Sequence, residues 1–120
     1  MIVIRLPRPL SSNGLYYNHR GGGRAASLSH RNWRMEAMQE ISAQRVNWTE
    51  KSIAGPYAIT ITVRRLPTKG KNRGDLGNLE KCVSDVLVKM CVVHDDSDAE
   101  DIHLRWGDVP GCEVVLQAIG

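Results

Sequence analysis

Leu79, Cys82, Val83, Val86, Leu87 and Met90 recur at i, i+3, i+4, i+7, i+8 and i+11, the spacing that lines one side of a helix with apolar side chains. Asn78, Lys81, Asp85 and Lys89 fall on the opposite side. The pattern predicts an amphipathic helix from about Asn78 to Met90, and such a helix persists only with its stripe against a second layer. The flanks say what that layer is. IVIRL, Ile2 to Leu6, ends at Pro7 and reads as a strand. In YAITITVRRL, Tyr57, Ile59, Ile61 and Val63 alternate with Ala58, Thr60, Thr62 and Arg64, the period of a strand with two unlike faces. IHLRW and CEVVLQAI, split by the turn GDVPG, read as a closing hairpin. Trp33, Met35, Ala37, Met38, Ile41 and Ala43 mark another helix from about Ser29 to Arg45, with Ser29 or Ser27 as its N-cap.

The resulting order, β-α-β-α-β-β, predicts an α/β fold: a mixed β-sheet carrying two main helices. A chain of 120 residues has room for one core and not for two, so residues 1–120 are expected to form a single domain. Between the elements, YYNHRGGGR reads as a flexible basic loop carrying Arg20 and Arg24, and PTKGKNRG as a loop rich in Gly, Pro and Lys. No apolar run approaches the roughly 18 residues of a membrane span, and MIVIRLPRPL lacks a signal peptide's unbroken apolar stretch, which predicts a cytoplasmic protein with no membrane partner. Cys82, Cys91 and Cys112 are odd in number and without CxxC spacing, so they read as reduced thiols rather than as a disulfide or zinc framework.

Charge divides the chain. Residues 1–74 hold thirteen Lys/Arg against three Glu, a net of +10, and residues 75–120 hold three against ten acids, a net of −7. A basic surface beside an acidic pocket suits a protein that handles a polyanion through bound cations; two halves that neutralise each other explain the division equally well. Arg64, Arg65, Lys69, Lys71 and Arg73 lead into Asp75 without an intervening acid, either as a solvated face or as a phosphate-tracking groove.

Asp75 opens the amphipathic helix, and Asp95 to Asp101 packs five acids into seven residues beyond its far end. Cleaving a phosphodiester needs an activated water and neutralisation of charge on the attacking and leaving oxygens, which Mg²⁺ held by carboxylates supplies. The helix is about 20 Å long at 1.5 Å per residue, so Asp95 and Asp96 must return along it to meet Asp75. Each residue also has a plain role: Asp75 as an N-cap, Lys81 as the i,i+4 partner of Asp85, the acidic run as a solvated loop. DSDAED lacks the glycine and the twelve-residue spacing of an EF-hand, and the four histidines lack HExxH or paired spacing.

The basic loop, DLGNLEK from Asp75 to Lys81, Asp85 four residues after the lysine, and the pair Asp95-Asp96 together resemble the RusA family of Holliday junction resolvases. The strand running into a Pro-rich turn with Ser12-Asn13 and Tyr16-Tyr17 agrees with it more loosely, and the resemblance extends from end to end. It implies a Mg²⁺-dependent nuclease, with Mn²⁺ able to substitute, that binds branched DNA at four-way junctions as a homodimer and nicks two strands symmetrically in bacteria or their prophages. By carry-over, Asp75 and Asp96 are metal ligands with Asp95 beside them, and Lys81 stabilises phosphate charge. Arg64, Arg65, Lys69, Lys71, Arg73, Asn78, Arg20 and Arg24 are DNA contacts. The family's motif has aspartate where this chain has Gly77. The resemblance therefore implies a lost metal ligand and impaired cleavage, with a non-catalytic branched-DNA-binding protein as the alternative. A protein-interaction module using the acidic loop is a third reading, and it predicts no salt-dependent DNA binding.

Overall fold

The computed structural model describes residues 1–12, 15–18, 20–66 and 75–120. Strand β1 (Ile2–Leu6) is followed by β2 (Tyr16–Asn18), β3 (Arg24–Ala26), helix α1 (Leu28–Arg45), β4 (Tyr57–Arg64), helix α2 (Glu80–Lys89), β5 (Ala99–Gly107) and β6 (Cys112–Ala118). Two 3-10 turns, Leu76–Leu79 and Asp96–Asp98, stand at either end of the α2 segment.

The main sheet is mixed, in the order β1-β6-β4-β5. β6 runs antiparallel to both β1 and β4, while β5 runs parallel to β4. β4, α2 and β5 thus form a crossover unit, the connection that parallel neighbours require. Register puts Ile4, Val114 and Ile61 side by side, so the alternating apolar residues of the three strands share one face. The buried residues of both helices, Trp33, Ala37 and Ile41 with Cys82, Val83, Val86 and Leu87, join that face in one core. The expected α/β architecture with a mixed sheet and two helices is present.

Three local readings change. The expected hairpin between the last two strands does not form: β4 lies between β5 and β6. Residues 108–111 instead pass over the end of β4, where the Arg65 N–H donates to the Gly107 carbonyl and the Arg64 N–H to that of Gly111. Gly111 makes this passage with φ 71°, and a Cβ there would stand 2.5 Å from the Leu6 carbonyl oxygen, so only glycine fits. The segment expected as a flexible loop holds an antiparallel ribbon, β2 with β3, and Gly22 and Gly23 take the positive φ its turn demands. The helix expected from Asn78 begins as the 3-10 turn and becomes α-helical at Glu80.

Of the two candidate caps for α1, Ser27 serves, its Oγ accepting the His30 N–H at 3.1 Å. Such a cap contributes about 1 kcal/mol. The far ends of the helices are tied together by Arg45, whose guanidinium donates to the carbonyls of Met90 at 2.6 Å, Cys91 at 3.1 Å and Lys51 at 2.8 Å. Cys91 itself sits at φ 56°, the left-handed geometry that ends α2 and turns the chain back toward the sheet. Cys82 and Cys112 are buried, which pushes their thiols up to about 11 and about 12, and Cys91 is exposed; all three are free. Among the described residues, no helix is long and apolar enough to cross a membrane.

Candidate active site

Burying Cys82, Val83, Val86 and Leu87 leaves Lys81, Asp85 and Lys89 on the outer side of α2, as the spacing predicts. Lys81 Nζ lies 3.5 Å from Asp85 Oδ2 in a partly exposed i,i+4 pair. Contacts of this kind are worth a few tenths of a kcal/mol, too little to tie the ammonium down against a competing phosphate.

Asp75 holds the N-cap position of the first 3-10 turn with φ −91° and ψ 133°, and its carbonyl accepts the Asn78 N–H at 2.9 Å. Its carboxylate makes no capping hydrogen bond and is exposed. The turn is held instead by Leu79, which is buried. Within it Gly77 is exposed, its φ lies outside the left-handed region, and a Cβ added there would meet nothing within 4 Å. The backbone therefore does not require glycine at this position, and a larger side chain has room.

The acidic segment forms a similar turn with a different use of its acid. Asp95 Oδ1 accepts the Ser97 N–H at 2.9 Å, and that bond, followed by one from the Ser97 side chain, holds the Asp95 carboxyl below the usual carboxylate range. Asp96, the next residue, opens the 3-10 turn. It joins Lys81, Asp85 and Lys89 of α2 in lining a groove of about 480 Å³, closed on its other side by Tyr16, His30 and Arg34. The Leu15 carbonyl organises that far wall, accepting the Ser27 N–H at 2.8 Å and lying 3.1 Å from His30 Nδ1. Tyr16 stands edge-on to His30, with ring centroids 5.3 Å apart.

Acids from both sides of α2 act on one buried phenol. Tyr57, buried at the start of β4, has its phenol pushed up to about 12, by burial first and then by Asp96, Glu80, Asp98 and Asp95 in turn. Glu80 is the first residue of α2 and Asp96 lies past its end, so both ends of the segment act on one hydroxyl.

Of the residues singled out in the sequence, Lys81, Asp85 and Asp96 meet in the groove. Asp75 and Asn78 belong to the turn that opens α2, and Asp75 is not among the groove's lining. Arg64 and Arg65 are exposed at the end of β4, and Arg20 is exposed in the turn between β2 and β3; Arg24 begins β3. Lys69, Lys71 and Arg73 lie outside the described residues. Tyr16 entered the sequence reading only through the looser Tyr16-Tyr17 resemblance, with no role at the site, and His30 and Arg34 were not anticipated; their signal was the i,i+4 spacing just inside the Ser27 cap.

A divalent cation bound by the protein alone needs several converging oxygen donors. Among the described residues, no three His, Cys, Asp or Glu side chains converge closely enough to hold a metal ion. The described donor set is thus incomplete, and Gly77 contributes no donor. No curated protein matches the chain. The family model for Endodeoxyribonuclease RusA matches residues 7–117, nearly the whole length.

Proposed function

The chain belongs to the RusA endodeoxyribonuclease family, and on that premise we propose that it binds four-way DNA junctions as a homodimer, with Mg²⁺-dependent cleavage impaired by Gly77. Nucleases of this family resolve Holliday junctions in recombination and generally depend on divalent metal. In this reading residues 1–120 form one nuclease domain acting in the bacterial cytoplasm, on a host or a prophage genome. The carrying observation is the family match together with the grouping of Asp96, Lys81 and Asp85 in one groove.

The chain's own residues divide the work. Lys81, loosely paired to Asp85, is free to turn its ammonium to the non-bridging oxygens of a scissile phosphate, where negative charge grows in the transition state. Arg34 and Lys89, in the same groove, hold the neighbouring phosphates and set the strand's position. Arg64, Arg65, Arg20, Arg24, Asn78 and the basic residues Lys69, Lys71 and Arg73 extend the electrostatic track. Asp75 and Asp96 are the proposed ligands of Mg²⁺, with Asp95 less suited because one of its oxygens caps a turn. Mg²⁺ held by these carboxylates, or Mn²⁺ in its place, would supply charge neutralisation and an activated water.

A second reading, a branched-DNA-binding protein that does not cut, is favoured by Gly77, which offers no donor where the family's motif has aspartate. One experiment separates the two: a synthetic four-way junction is incubated with the protein with and without Mg²⁺, and binding and nicking are read on gels. Salt-dependent binding with weak, Mg²⁺-dependent nicking is expected. Binding with no nicking under any metal selects the second reading, and absence of junction binding defeats both.

A further inference from the structure

Most polar side chains around the core are engaged on every side. Gln44 of α1 bonds both backbone groups of Arg5, its Oε1 accepting the N–H at 2.8 Å and its Nε2 donating to the carbonyl at 2.7 Å. Among the described residues three polar side chains are buried: His30, Thr62 and Ser84. Thr62 Oγ1 accepts from Arg105 Nε at 2.9 Å, and Ser84 Oγ donates to Glu80 Oε1 at 2.6 Å. His30, only 2% exposed, is satisfied on one side of its ring alone. A carbonyl oxygen can only accept, so the contact of Nδ1 with the Leu15 carbonyl at 3.1 Å puts the ring proton on Nδ1. Tyr16, edge-on at 85°, holds the plane of the ring.

Nothing among the described residues bonds to the other nitrogen, Nε2. A sealed nitrogen without a partner is costly, and no described side-chain nitrogen or oxygen is both buried and unpartnered. Nε2 therefore opens to solvent, and the ring lines the groove that holds Lys81, Asp85 and Asp96. With its proton on Nδ1, the neutral ring presents a lone pair there that the fold orients and does not itself use.

The groove otherwise offers mainly donors. Arg34, Lys81 and Lys89 can accept nothing. Asp85 faces Lys81 at 3.5 Å, and Asp96 is the proposed ligand of Mg²⁺. A water attacks phosphorus through a lone pair, so its protons must point away from the phosphate and toward an acceptor. We propose that His30 Nε2 is that acceptor: it orients the attacking water beside the phosphate held by Lys81 and takes its proton as the new bond forms. In that step a water O–H bond breaks and the proton passes to Nε2, while the water oxygen bonds phosphorus. The bond from phosphorus to the sugar oxygen breaks, its electron pair stays on that oxygen, and solvent protonates it; the imidazolium then returns its proton to solvent. The Leu15 carbonyl accepts from Nδ1 throughout and keeps the ring in place. This rests on the nuclease reading above and assigns a catalytic group to it.

His30→Asn tests the assignment. An asparagine amide nitrogen stands as many bonds from Cα as Nδ1 does, so it can keep the Leu15 bond while nothing remains at Nε2, and the two residues have similar helix propensity. Nicking of a synthetic four-way junction with Mg²⁺ is followed at saturating protein, in the chain as it stands and with Gly77→Asp. His30→Asn should slow nicking about a hundredfold in both, with the junction dissociation constant and the urea unfolding midpoint unchanged. Nicking as fast as with His30 overturns the proposal. So does a loss matched by weaker junction binding or a lower midpoint, which makes the ring a binding or structural group. A second measurement needs no variant: long-range proton–nitrogen correlation of the neutral His30 ring should show the proton on Nδ1, and a proton on Nε2 overturns the proposal. Failure of the functional reading looks different. No nicking by either protein that retains His30 defeats the nuclease and this role with it, whereas equal nicking with and without His30 defeats this role alone.

Discussion

The two turns that flank α2 are built on one plan and use their acids in opposite ways. Each has an aspartate at the N-cap position of a 3-10 turn, and each aspartate's carbonyl accepts the N–H three residues on, at 2.9 Å for Asp75 and 3.1 Å for Asp95. The second turn has no buried residue and is held by the Asp95 side chain bonded to Ser97. The first is anchored from beneath by Leu79, and its Asp75 carboxylate takes no part in the turn. A core anchor thus does locally what a cap would do and leaves a charged oxygen available to solvent and ligand. The comparison separates an acid needed for folding from one that folding leaves alone.

The strongest way to break this contrast is to remove the anchor. Leu79→Ala should cost about 3 kcal/mol of stability, the usual loss for a truncated core leucine, measured by urea unfolding. A loss near zero would mean that the turn is held by something else. Gly77→Asp comes next: with space for its side chain and an ordinary backbone, it should leave stability nearly unchanged. It should raise Mg²⁺-dependent nicking of a four-way junction on the order of a hundredfold, about 2.7 kcal/mol off the barrier. Adding Asp75→Asn to that variant should return nicking to the starting level with an unchanged unfolding midpoint, as expected for a carboxylate without a structural bond. Lys81→Met should lower nicking by Gly77→Asp about tenfold, ~1.4 kcal/mol, and weaken junction binding little. An unchanged rate would remove Lys81 from the chemistry.

The smallest effect belongs to the second turn. Asp95→Ala should lower the unfolding midpoint slightly at pH 7 and leave nicking by Gly77→Asp intact. Hydrogen bonding depresses the Asp95 carboxyl in the folded state, so its contribution is present above the unfolded-state carboxylate range near 3.9 and fades as pH falls through the lower folded value. The difference between Asp95→Ala and the parent should therefore vanish in strong acid. A difference that persists there would assign the effect to something other than the charge.

Period alone sufficed for α2 and β4, because their stripes are long and each position faces one environment. Strand order was not so readable. IHLRW and CEVVLQAI look like neighbours because a short turn joins them, yet residues 108–111 are long enough to cross the end of β4, and nothing in either strand marks which edge its partner will be. The β2–β3 ribbon was hidden by its three glycines, which read as looseness although Gly22 and Gly23 take the positive φ that leads the chain into β3. At the site, Lys81, Asp85 and Asp96 were legible because α2 and the turn beyond it lie in one stretch of chain. The far wall was not: Tyr16 of β2 stands against His30 of α1, with Arg34 one helical turn on, a meeting of two elements that no local spacing announces. Asp75 read most readily as a cap, and only the buried anchor four residues on frees it from that duty.

Gln44 also guards the β1 margin of the sheet against stray extended segments. At Arg5 both backbone groups are already taken by an amide from α1, so a segment arriving at that residue finds no vacant donor or acceptor and must first break two intramolecular bonds.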